Sequence, residues 1–183
     1  RRGSAKVSAT NGWLRWKAVS KQATCTAAGK AACAARTPVP ASAPPLVAAL
    51  PLTLQIHRQQ AGNAQDWLLV LQAEGPALRW SLFDPLGVPL ARQLLEDGAW
   101  RDDGLLPPNA EARELFAALL FALTPSAELA RNYPGATWQA AADGQRRLNP
   151  AWRIRYRAPL DFTLNTASDL AYQVSALPQE EDR

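Results

Sequence analysis

The chain has 183 residues, enough for one domain with a hydrophobic core, and no apolar run long enough to cross a membrane as a helix. Its net charge of +4 joins two unlike parts: residues 1–36 carry eight basic side chains and no acid, whereas residues 37–183 carry twelve arginines against sixteen acids. The basic balance is therefore no argument for nucleic acid as a partner, and the two cysteines, Cys25 and Cys33, are spaced neither as a redox pair nor as a zinc knuckle.

Residues 1–36, rich in alanine, serine, threonine and lysine without an apolar period, read as a disordered basic leader. Trp13 and Trp16 stand beside Arg15 and Lys17, so a nucleic-acid arm is the competing reading. Pro38, Pro40, Pro44 and Pro45 make residues 37–49 a semi-extended tether. A folded domain is expected over residues 50–177, with an acidic tail over 178–183.

"LTLQIHR" sets Leu52, Leu54 and Ile56 on one face and Thr53, Gln55 and His57 on the other. "ALRWSLF" opposes Leu78, Trp80 and Leu82 to Arg79 and Ser81, and "WRIRYR" alternates Trp152, Ile154 and Tyr156 with three arginines. "DFTLN" and "LAYQV" continue the pattern through Phe162, Leu164, Leu170, Tyr172 and Val174. A period of two, repeated with turns between, predicts half-buried antiparallel strands. "DWLLVLQ", with Leu69 and Leu71, is apolar on both faces and reads as a central or covered strand.

One stretch breaks this rhythm. In "PPNAEARELFAALLFALTPS", Asn109 is an N-cap and Glu111 and Glu114 lie where a helix dipole favours acids. Every residue from Leu115 to Leu123 is apolar, which predicts a buried helix ending before Pro125. Ser126 is read as capping a second short helix through Arg131. Strands, a buried helical insert and further strands predict a mainly β (α+β) fold, a curved antiparallel sheet wrapped around a helix. Phe116, Leu119, Leu120 and Leu123 are expected to pack inside its concave face.

"SLFDPLGVPL" holds a turn signal, with Pro85 fixing φ and Gly87 free to take positive φ. Its tip is Leu86, an aliphatic where polar residues are usual.

The search for chemistry finds little. His57 is the only histidine, expected on the solvent face of a strand and without a nucleophile motif to serve. The acid pairs Glu96-Asp97 and Asp102-Asp103 flank "GAWR"; hairpin loops explain them, and a small hydrolase using Asp102 or Asp103 is a minor alternative. No phosphate loop, cofactor motif or transition-metal ligand set is present, so neither a catalytic role nor a cofactor is expected. Arg153, Arg155 and Arg157 share one strand face after Arg146 and Arg147, a solvated face or an anion site for headgroup phosphates.

The order of motifs resembles a known family. "ACAART…PP", "FDPLG", "EARELFAALLFALTP", "ELARNYPG" and "AWRIRYR" together look like the LolA/LolB family of bacterial lipoprotein carriers. They look more closely like an uncharacterised family of predicted outer-membrane lipoproteins encoded with aryl-polyene pigment synthesis. The resemblance implies an incomplete β-barrel with a helical plug. Its acyl-chain cavity would be lined by Leu69, Leu71, Trp80, Leu82, Trp152, Ile154, Tyr156 and Phe162 from strands, with Phe116, Leu119, Leu120 and Leu123 from the helix. It implies a membrane-contact loop at Pro85, Leu86 and Gly87, and lipidation of Cys33. The expected function is non-catalytic binding or transport of an acylated molecule, a lipoprotein or a polyene lipid. The expected place is the periplasmic face of the outer membrane, with the protein a monomer. A periplasmic scaffold that binds a partner protein along a strand edge is the alternative.

Overall fold

The computed structural model describes residues 45–148, 152–166 and 169–177. Five strands come first: β1 (Leu52–Gln60), β2 (Asn63–Glu74), β3 (Ala77–Phe83), β4 (Pro89–Glu96) and β5 (Ala99–Asp102). Helix α1 (Ala110–Leu123), a 3-10 turn (Ser126–Glu128) and the single-turn α2 (Leu129–Asn132) follow. Then come β6 (Trp138–Ala141), β7 (Gln145–Leu148), β8 (Trp152–Ala158), β9 (Asp161–Asn165) and β10 (Ala171–Ala176).

All ten strands form one open antiparallel sheet in the order β5-β4-β3-β2-β1-β10-β9-β8-β7-β6. The fold is mainly β. Two five-strand meanders meet at its centre, where the first and last strands pair, for example Ile56 with Val174. Turn chemistry sets the hairpins locally. Ala61 and Gly62 both take positive φ (48° and 83°), the two-residue turn that matches strand twist.

The helical segment carries the chain from the β5 edge to the β6 edge. The Asn109 side chain accepts from the Ala112 amide at 3.0 Å and caps α1 as its sequence predicts. From Leu115 through Thr124 every residue is buried. The sheet reaches this helix from several sides. Trp152 of β8 donates its indole N–H to Glu114 at 3.3 Å, while Trp80 of β3 and Trp100 of β5 pack on the Phe116 ring. Glu114 and Phe116 point about 160° apart around a helix with 3.6 residues per turn, so strands on both sides of the sheet's centre flank α1.

Two boundaries differ from expectation. Within the predicted tether, Leu46 and Ala48 pack on the core, and the Val47 amide donates to the Leu123 carbonyl at 2.9 Å. The end of a buried helix leaves carbonyls that need donors, and this segment supplies one. Pro125 rather than Ser126 occupies the cap position of the 3-10 turn, and the Ser126 hydroxyl accepts from Arg146 instead.

Candidate functional site

The β3–β4 connection is a built turn. The Gly87 amide donates to the Asp84 carbonyl at 3.0 Å, and Gly87 takes φ of 82°. The Asp84 carboxylate accepts from the amides of Leu86 (2.9 Å) and Val88 (2.8 Å). Aspartate first, proline second and glycine fourth is the sequence such a turn requires. The result is a fixed tip that holds Leu86 in water, 89 % exposed, with Val88 at 53 % beside it in sequence. Leu105 is 70 % exposed in the segment after β5. β5 runs antiparallel to β4, and Arg92 meets Asp103 at 3.0 Å, so Leu105 leaves the sheet at the end where β4 begins. Sequence reading missed Leu105; a leucine between Gly104 and Pro107, outside any periodic run, was the available signal.

Of the twelve residues expected around a cavity, eleven are fully buried in the core that encloses α1. Tyr156, half-buried against that core, also lines an open groove of about 540 Å³. Val47, Ala122, Pro125, Gly144 and Arg146 contribute to its walls. This volume lies within the usual range for small-molecule sites.

Arg146 forms the polar part of that groove. It alternates with Leu148 on the inward face of β7 and is buried. Its guanidinium donates to the carbonyls of Phe121 (3.2 Å), Ala122 (3.2 Å) and Thr124 (2.6 Å) and lies over the Tyr156 ring. The Tyr156 hydroxyl donates to Ala122 O at 2.7 Å, and burial pushes this phenol up to about 12. The last turn of α1 has no basic residue of its own, so a sheet arginine neutralises its C-terminal dipole.

The other end of α1 is tied in the same manner. Arg58, on the inward face of β1, donates to both Glu111 oxygens at 2.5 and 3.0 Å and lies over Trp67. Tyr172 of β10 donates to Glu111 at 3.0 Å. Hydrogen bonds from Arg58, opposed by partial burial and helped by Tyr172, hold the Glu111 carboxyl below its ordinary range. Sequence reading missed the role of both arginines; the available signal was the inward position each takes in the period of its own strand.

The remaining candidates are placed as follows. His57 lies on the outer face of β1, with Nδ1 2.7 Å from the Asp66 carboxylate. Asp102 faces Arg113 and accepts from Gln93, while Asp103 faces Arg92, so both carboxylates are engaged with arginines. Arg153 and Arg155 are exposed on the outer face of β8 as expected, whereas Arg157 pairs with Asp161 at 2.8 Å. No group of three or more histidine, cysteine, aspartate or glutamate side chains could hold a metal among the described residues. Cys33 and the acidic tail lie outside the described residues. No family model matches the chain, and no curated protein matches it.

Proposed function

We propose that the protein is a non-catalytic carrier or acceptor of an acylated or polyene-bearing molecule, working at the periplasmic face of a bacterial outer membrane. The exposed Leu86 on its fixed turn carries this reading, with Val88 and Leu105 at the same end of the sheet. Burying one leucine contributes about 1.5–3 kcal/mol, so such a rim gives reversible contact with a bilayer and no permanent anchor. A lipid on Cys33 would supply the anchor. The finer fold belongs to the same reading: an incomplete LolA/LolB-like barrel with α1 as its plug. An acyl chain that is taken up displaces α1 as it advances, each buried CH₂ contributing about 0.8 kcal/mol.

Binding of a partner protein along a strand edge has less support, because both edge strands, β5 and β6, have only four residues. Short edges blunt strand addition. Native mass spectrometry of the chain recovered from acyl-lipid vesicles tests the carrier reading. A discrete lipid-bearing mass is expected, and the bare chain alone would overturn it.

A further inference from the structure

Seven arginines of the described residues each meet a carboxylate: Arg58, Arg79, Arg92, Arg101, Arg113, Arg131 and Arg157. An eighth, Arg146, is taken up by helix carbonyls. Among the described residues Arg147, Arg153 and Arg155 have neither an ion pair nor a side-chain hydrogen bond, and these three stand together. Arg147 of β7 is in register with Arg153 of β8, and Arg153 with Asn165 of β9. In the next row of the same face, Gln145 is in register with Arg155, and Arg155 with Thr163. Adjacent strands lie about 4.8 Å apart and same-face residues about 6.6 Å apart along a strand, so three guanidinium groups share one small area. Like charges directly opposite on paired strands are destabilising. A folded protein that pairs every other described arginine leaves this repulsion unrelieved.

The six side chains line a polar concavity of about 420 Å³ that contains no carboxylate. Guanidinium forks match phosphate oxygens two at a time, and the amides of Gln145 and Asn165 and the Thr163 hydroxyl add neutral donors at the rim. We propose that this outer face of β7–β9 binds a phosphate group, either a phosphate-bearing lipid headgroup or a soluble phosphate ester. Arg147, Arg153 and Arg155 supply the charge. Arg157, at the irregularity between Tyr156 and Ala158, pairs with Asp161 and lies outside this concavity. The proposal does not rest on the carrier reading, since it concerns the face of the sheet turned away from α1.

The test is titration of the full chain with inorganic phosphate at low ionic strength, followed by NMR. It is repeated with R153Q/R155Q and with R157Q. Saturable binding is expected in the parent chain, at least tenfold weaker in the double variant and within twofold of the parent in R157Q. All three side chains are exposed, so unchanged thermal midpoints separate loss of binding from loss of fold. A second arm uses flotation with vesicles of phosphatidylglycerol, and of phosphatidylcholine alone. Flotation on the anionic vesicles that drops in the double variant assigns the site to headgroups; phosphate binding without it assigns the site to soluble esters. Absence of saturable binding in both arms would overturn the proposal, as would an equal loss in R157Q, which would reduce the effect to net charge. Failure here leaves the lipid-bearing mass expected above unaffected.

Discussion

Arg58 and Arg146 are the inward-facing arginines of β1 and β7, and each holds one end of the same helix. Their energetic meaning differs from that of surface pairs because they sit where water is scarce. Arg146→Met should leave the Phe121 and Thr124 carbonyls without that donor, Ala122 keeping the Tyr156 hydroxyl, and destabilise the protein by about 2–4 kcal/mol, measured by urea unfolding. Arg146→Lys keeps the charge but not the fork, so it should recover only part of that loss. Glu111 links the other end to pH. Its folded-state value lies below the ordinary one of 4.5, so its contribution is fully present above that value and is lost as pH falls through the folded value. Glu111→Gln should therefore lower stability at pH 7 and flatten its fall below about pH 5, as seen in unfolding curves at stepped pH.

At the scale of elements, α1 is the part most fully legible in the chain. An asparagine cap, the first-turn acid Glu111 and nine consecutive apolar residues leave little freedom, and the helix lies where they put it, although Glu114 falls beyond the first turn. Of the strands, β1, β3, β8, β9 and β10 were readable from their period of two and β2 from its apolar run, whereas the short or irregular β4 to β7 were missed. What the residues could not reveal was the order of pairing, because antiparallel strands of similar pattern satisfy one another in many arrangements. The fate of paired charges was hidden for the same reason: Arg157 resembles Arg153 and Arg155 until the β8–β9 turn brings Asp161 to it. Leu119→Ala should cost about 2–5 kcal/mol if the core around α1 stays closed in solution. Should α1 move aside readily, the loss is smaller and ligand retention changes instead. Thermal unfolding and lipid retention, measured on one sample, separate these outcomes.

For the whole molecule, the folded unit extends further toward the N-terminus than composition implied. A proline-rich stretch hides the hydrogen bond from Val47 to the end of α1. A chain starting at Pro45 should keep the thermal midpoint of the full sequence, and one starting at Leu50 should melt several degrees lower, because it loses that bond and the packing of Leu46 and Ala48. Membrane contact is a property of this scale too, since it needs an apolar rim held rigidly by the rest of the sheet. Asp84→Ala should loosen the turn at a cost of about 0.5–1.5 kcal/mol and weaken contact through disorder of the tip.

Leu86→Glu addresses the central claim most directly, because an exposed tip residue contributes little to folding while a carboxylate resists burial among acyl chains. The measurement is co-flotation of the full chain with phosphatidylcholine vesicles, whose headgroups carry no net charge, made in the R153Q/R155Q background so that phosphate contacts do not substitute for the rim. The account predicts an unchanged thermal midpoint and a several-fold fall in the vesicle-bound fraction. Flotation equal to that of the parent chain would contradict it.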